Sequence, residues 1–508
     1  MDKKKRGQPM SKTVEDLKNY LDRIKKYEHI ETLLYWDMKT LVPKEGYDGH
    51  IDALTYFSAE SFALLTSDEL YEIVTDLASD EEYEKLDDTM KFIVKRMKKD
   101  LEKERRIPKD RYEAFVKAQA ESGRAWEEAK EASDFSIFAP HLKKMIDFRV
   151  EMCGYTDPGE DVFEVLLEDH EESMDSATID CLFEDLKSDL LPLLKKILAA
   201  PQPDDAKFRE KFDINGQKKV QDMLLAYMGF RKEAGAVGES AHPFTLNFSS
   251  KDVRVTNHYR ESYPVNAIYS AIHEGGHAIF EQNVNPEYDN TVAGSCRYMG
   301  VHESQSRFYE NMLGLNKNFW IPIYDKLGEL LPPFQEITLD EFYREVNHVR
   351  NSLIRIEADE VTYCFHIILR YEMEKAIFRD HVPVEELPAI WNQKMQDYLE
   401  ITPENDAAGI LQDTHWSDGS FGYFPSYLLG SIYDGMFLEQ LEEELGCVDQ
   451  ILREGRISEI TKWLNDQIHQ YGSTRTPKEV IANVCGKVVS SKPLISYFTK
   501  KYTEIYNL

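Results

Sequence analysis

Apolar residues recur at three- and four-residue spacing through most of the chain. Near the start, Val14, Leu17, Leu21 and Ile24 mark one face of an amphipathic helix that continues through Ile30, Leu33 and Leu34 and closes before Pro43. Long helices are predicted over 52–78, 82–105 and 109–131, the last two with a strongly charged face turned to solvent. Ile179, Leu182, Leu186, Leu190, Leu193 and Ile197 predict another, kinked at Pro192. Ala199-Ala-Pro201-Gln-Pro203 then breaks the pattern. The break divides a helical front portion (1–200) from a second portion (201–508), or is a loop within a single fold. Helical spacing returns over 302–316, 340–375, 385–399 and 434–446, with joints at Pro332-Pro333 and Thr402-Pro403. Two-residue alternation occurs convincingly once, in Phe244-Thr-Leu246-Asn-Phe248, which turns through Ser249-Ser250-Lys251 into Val253-Arg-Val255. The predicted fold is mainly α, with a small hairpin whose edge could pair with an extended peptide, or which is purely structural.

Directly after that hairpin, Ala271-Ile-His273-Glu274-Gly-Gly-His277-Ala-Ile-Phe280 reads H-E-x-x-H in an apolar surround. Residues four apart share a helix face, so His273 and His277 can present two imidazoles to one point, as a zinc ion requires. Glu274 can lean toward the open position as general base. A catalytic site needs a third protein ligand. The best candidate is Glu303, in His302-Glu303-Ser-Gln-Ser-Arg307-Phe-Tyr-Glu310, where Glu303, Arg307 and Glu310 fall on one helix face. Glu281 is a weaker choice, one turn beyond His277, and His302 is a possible supporting contact.

Composition narrows the class. With 42% hydrophobic and 30% charged residues, the chain can build a large core. Its net charge of −31 (61 basic against 92 acidic residues) opposes binding to a phosphate backbone. No apolar run approaches a membrane span, and no apolar stretch follows the basic Met1-Asp-Lys-Lys-Lys-Arg6 to make a signal peptide. Six scattered cysteines suit reduced thiols in a cytoplasm.

Six blocks of the second portion resemble the thermostable metallocarboxypeptidases of the Taq carboxypeptidase type. They are His242-Pro243-Phe244, Asp252-Val-Arg254-Val-Thr256, His273-Glu-Gly-Gly-His277, His302-Glu303-Ser-Gln, Ile354-Arg355-Ile-Glu-Ala358-Asp359 and Gly409-Ile-Leu-Gln412-Asp413-Thr-His415-Trp416. Trp36-Asp37, with Pro43 and Gly46, extends the likeness toward the N-terminus. The resemblance implies zinc on His273, His277 and Glu303, and Glu274 as catalytic residue; by its donor set, a His-His-Glu site could also take cobalt or manganese. The resemblance further implies a helical fold cleft by a deep groove, a homodimer, and removal of single C-terminal residues from peptides. Oxyanion donors are sought among Tyr423, Tyr427 and His415, of which Tyr427 could instead bind substrate. For the substrate carboxylate the contenders are Arg355 and Arg254, both in blocks that line the active site by resemblance; His242 is a further substrate-binding candidate. A plainer account of Arg355 is an i,i+4 ion pair with Asp359 on a helix. Two rival readings stand: an oligopeptidase that cleaves internally, and a helical interaction scaffold without catalysis.

Overall fold

The computed structural model describes residues 13–294 and 297–508; the basic stretch Met1–Arg6 and Cys296 lie outside them. Helices dominate, and one three-stranded sheet accompanies them. The first helix, Val14–Thr40, opens with a capping box in which Thr13 and Asp16 satisfy each other's backbone N–H groups. It packs on Tyr47–Leu65, and together with Asp68–Leu77 and Asp88–Glu104 contributes to a small core built on Leu17, Leu70, Val74, Ile93 and Val94. A much larger core holds everything else: Phe135–Thr156 and Ser176–Ala199 share it with the helices of the second portion. Ser176–Ala199 runs unbroken through Pro192.

Several predicted helices are interrupted where a polar side chain caps a new start. The 52–78 stretch splits at Ser67, whose hydroxyl accepts the N–H of Leu70, and the 82–105 stretch restarts at Asp87 in the same way. The 340–375 stretch is two helices, Leu339–Val346 and Glu360–Phe378, separated by irregular chain and a single turn, Arg355–Glu357. Asp359 caps the second of these, accepting the N–H groups of Val361 and Thr362.

The sheet comprises β1 (Gly235–Glu239), β2 (Thr245–Ser249) and β3 (Asp252–Asn257), in the order β1-β3-β2. β2 and β3 form the expected hairpin; β1 lies parallel to β3 and was not foreseen. Its sequence, Gly-Ala-Val-Gly-Glu, alternates weakly because a side chain at Gly235 would strike the Val253 carbonyl, and one at Gly238 the Trp36 ring. Thr245 pairs with Val255 and Asn247 with Val253, so these four share one face, toward the helix Val265–Asn283. Leu246 and Arg254 share the other, where Trp36 of the first helix packs on Phe244 and beneath Arg254.

Val265–Asn283 carries the H-E-x-x-H pentad and lies buried against Ile214–Met228 on one side and Met299–Arg307 on the other. The two glycines of the pentad face different neighbours. A Cβ at Gly275 would meet only the side-chain ends of Leu225 and Met228, whereas one at Gly276 would lie 2.7 Å from both the Gln305 carbonyl oxygen and the Ser306 Cα. Gly276 thus allows backbone contact with the helix that carries Glu303. Gly276→Ala is expected to cost roughly 1–3 kcal/mol of stability through overpacking. Gly275→Ala should be nearly neutral, because the ends of flexible side chains can yield and Ala gains about 1 kcal/mol of helix propensity. Chemical denaturation of the two variants checks this; equal losses would contradict it.

Candidate active site and metal centre

Met299–Arg307 continues directly into a π-helical stretch, Phe308–Gly314. Glu303 is on the first part and Glu310 on the second, and both reach the pentad. His273 Nε2 lies 3.8 Å and His277 Nε2 3.6 Å from Glu303 Oε2. Ligand atoms in a tetrahedral zinc site with bonds of 2.0–2.1 Å are about 3.3 Å apart. The three residues, whose ligand atoms all lie within 4.8 Å of one another, therefore need only a small contraction to hold one ion.

The surroundings fix each ligand. Glu310 Oε2 lies 2.7 Å from His273 Nδ1, which turns Nε2 of that ring toward the site. Arg307 Nε donates to Glu303 Oε1 over 2.6 Å, leaving Oε2 for the ion, and its guanidinium sits 4.0 Å from the centre of the Tyr363 ring. His302 stacks on His277 with ring centres 4.4 Å apart and is held at 2.9 Å by Glu281 Oε1, while Asn247 donates to the other Glu281 oxygen. Both Glu281 oxygens are thus engaged, by His302 and Asn247, and the candidate ligand set is His273, His277 and Glu303. Across the sheet boundary, Thr245 Oγ1 lies 2.6 Å from Glu274 Oε2.

The field at this point calls for positive charge. Burial alone would lower the pKa of His273, but Glu310, and beyond it Glu303 and Glu274, outweigh burial and push it up to about 9. His277 goes the other way, held neutral by burial and by His302, His273 and Arg307. Burial also raises Glu274. A divalent ion would supply the charge that a proton on His273 now supplies, so the donor set fits a metal.

On the far side of Tyr363 lies a second cluster. Arg355 is not paired with Asp359, which is occupied as a helix cap. Its Nε and Nη2 donate instead to Asp413 Oδ1 at 3.0 and 2.8 Å, and its Nη1 to the Tyr363 hydroxyl at 3.1 Å. The i,i+4 geometry fails because no continuous helix joins 355 to 359. Asp413 Oδ2 accepts from the fully buried Arg370 at 2.6 Å. His366 and His415 are held down to about 3 and about 4, chiefly by burial. Two guanidiniums therefore share one carboxylate, and the cluster carries a net positive charge.

Tyr423 and Tyr427 stand beside it. Their rings meet edge to face with centres 5.0 Å apart, the Tyr427 ring lies 5.0 Å from the Arg355 guanidinium, and its hydroxyl is 3.2 Å from His415 Nε2. Burial raises both phenols, Tyr423 to about 12, and the charge of Glu303 adds to each shift. Glu374, which burial pushes up to about 8, accepts Trp416 Nε1 and the Gly422 N–H, fixing the loop that presents these rings. The remaining two candidates lie apart: His242 is exposed in the loop between β1 and β2, and Arg254 is tied to Asp252 on the sheet face opposite Thr245.

A family model described as carboxypeptidase Taq (M32) metallopeptidase matches residues 16–502. The chain belongs to that family. It is 40% identical over 490 residues to carboxypeptidase 1 of Bacillus subtilis, spanning 96% of this chain and 97% of that one. Thermostable carboxypeptidase 1 of Thermus thermophilus is 32% identical over 493 residues, spanning 93% and 95%. Among solved structures, the M32 carboxypeptidase from Deinococcus radiodurans R1 superposes with a TM-score of 0.94 at 28% identity, over 97% of this chain and 99% of that one. The protein is a metallocarboxypeptidase, a peptidase that hydrolyses peptide bonds, and the scaffold reading falls.

Sequence reasoning missed Thr245, Tyr363 and Arg370. Thr245 was visible only as the polar member of an alternating strand, and Arg370 as one charge inside an apolar helix. Two outcomes are expected of this M32 metallocarboxypeptidase. Glu310→Gln should weaken metal binding on the order of 10- to 100-fold. The carboxylates around His273 favour its protonated form, and a metal must displace that proton, so affinity should rise as pH rises from the acid side through neutrality. Calorimetric titration at pH 7 in buffers of different ionisation enthalpy should show at least one proton released per ion; no release would contradict the assignment.

Proposed function

We propose that the protein is a zinc carboxypeptidase of broad specificity that removes one residue at a time from the C-terminus of peptides, with zinc on His273, His277 and Glu303. The ion, when bound, supplies Lewis acidity that acidifies a water and polarises the scissile carbonyl. Glu274 takes the water proton at Oε1, the oxygen left free by Thr245, and returns it to the leaving amine. Tyr423 or Tyr427, each kept protonated by burial, donates to the developing oxyanion, with His415 orienting the Tyr427 hydroxyl.

The observation that carries the exopeptidase reading is the surplus charge at Arg355. One N–H on each of Nη1 and Nη2 has no acceptor among the described residues, and the Asp413 carboxylate is shared with Arg370. A buried, pre-oriented guanidinium with free donors suits a carboxylate. Tyr363 stands between it and Arg307, the partner of Glu303, so a chain of direct contacts links the carboxylate site to the metal centre. Arg254 is a weaker choice, since Asp252 occupies its fork. Its location on the outer sheet face suits support of the Trp36 contact.

We also infer a cytoplasmic homodimer. The helix Tyr47–Leu65 supports the dimer: only Ser61 is fully buried, while Ile51, Tyr56 and Phe62 are exposed. The five described cysteines are free thiols, in keeping with a reducing compartment. No helix of the described residues is long and apolar enough to cross a membrane.

Mass spectrometry of a peptide pool after digestion is expected to show a ladder of one-residue losses from the C-terminus. C-terminal amidation should suppress cleavage; undiminished cleavage of amidated peptides would favour the oligopeptidase reading. Chelation should abolish hydrolysis. Glu274→Gln should retain the metal but lose turnover by about 10²–10⁴-fold.

A further inference from the structure

We propose that Thr245 is the positioning residue for Glu274: its hydroxyl fixes which carboxylate oxygen of the base is presented to the reacting water. This rests on the reading of Glu274 as the base.

Glu274 stands on a helix with three rotatable side-chain bonds, and helix geometry alone permits several staggered positions for its carboxylate. The residue is buried, yet the only described side chain that donates a hydrogen bond to it is Thr245. Thr245 Oγ1 is 2.6 Å from Oε2 and 3.1 Å from the Glu274 backbone oxygen. A hydroxyl has a single proton, and the shorter contact is to the charged, stronger acceptor. Oε2 is thereby tied down, and Oε1, which receives no hydrogen bond from the described residues, is left to take the proton.

The donor is itself rigid. Thr245 is β-branched and opens β2, where pairing with Val255 directs its side chain onto the face that meets the helix. Two residues on, Asn247 donates from the same face to Glu281, two turns beyond Glu274 on the same side of the helix. β2 therefore grips the pentad helix at two points two strand residues apart, and cannot slide along it without breaking both contacts. A one-residue slip would also turn Leu246 toward Glu274. The rest of the pentad needs no such help, because Glu310 and the Glu281–His302 pair already hold the two histidines.

The test compares Thr245→Val, which keeps the branched shape without the hydroxyl, with Thr245→Ser, which keeps the hydroxyl. In the zinc-loaded enzyme, Thr245→Val is expected to lower kcat on the order of 10- to 100-fold with KM and zinc content unchanged. Thr245→Ser should recover most of that loss. In a Glu274→Gln background, Thr245→Val should add no further loss, since it acts through the base. Crystals of Thr245→Val should show Glu274 spread over more than one rotamer. Undiminished kcat in Thr245→Val, with Glu274 in one rotamer, overturns the proposal while leaving Glu274 as base. Full activity in Glu274→Gln alone overturns the underlying reading instead. A fall in zinc content in both Thr245 variants would make the residue structural and likewise overturn the proposal.

Discussion

The site depends on how closely two helices approach. At Gly276, the H-E-x-x-H helix touches the backbone of Gln305 and Ser306, two and three residues beyond Glu303. On its other flank, the ligand helix meets Phe424–Leu445 through Gly430, where a Cβ would lie only 3.0 Å from the Gly300 carbonyl oxygen and 3.1 Å from the Ser304 nitrogen. The Glu303 helix is thus clamped between two glycine contacts, with backbone rather than side chains setting both spacings. Side chains can change rotamer; backbone in contact cannot. The separation of Glu303 from the histidines is consequently a property of the helix packing.

Bringing three carboxylates into that buried space has an electrostatic cost, and the neighbouring residues answer it. Glu303 has Arg307, Glu310 has His273, and Glu274 has only a neutral hydroxyl. Negative charge exceeds positive unless a proton or a metal is present. Past Tyr363 the balance reverses, since Asp413 serves both Arg355 and Arg370. The site therefore has an anionic pole that suits a cation and, past Tyr363, a cationic pole that suits a carboxylate. Buried charges left unpaired are strongly destabilising; both poles remain tolerable because hydrogen bonds occupy most of the donors and acceptors.

The pentad and the hairpin were legible because each is written in local spacing, and the same spacing put Glu303 on one helix face with Arg307 and Glu310. A four-residue spacing of the histidines fixes a shared helix face, and alternation fixes a strand. The path around Arg355 was not legible, for a reason equally local. Periodic apolar residues from 340 to 375 look like one helix, and nothing short of the Asp359 cap reveals the interruption. With a helix assumed, Asp359 is the natural partner of Arg355; with the chain turning at Arg355–Glu357, the partner is Asp413, fifty-eight residues away. β1 escaped detection because its glycines answer to the Phe230 ring, the Val253 backbone and Trp36 and so carry no pattern of their own. Long-range partners leave no periodic trace, and Thr245, Tyr363 and Arg370 all belong to that class.

The same distinction explains why the front of the chain matters to a site more than two hundred residues away. A sheet of three short strands has two faces and no second layer of its own. One face is covered by the metal helix, through Thr245 and Asn247. The other carries Phe244 and Arg254, which Tyr35 and Trp36 cover. Trp36 is buried to the extent that its ring edge occupies the place of a Gly238 side chain, so the first helix lies directly against the strands. Thr245 can hold Glu274 only as firmly as β2 itself is held, and β2, an edge strand paired on one side alone, relies on that cover. The amphipathic helix that begins the chain is in this sense the outer wall of the active site.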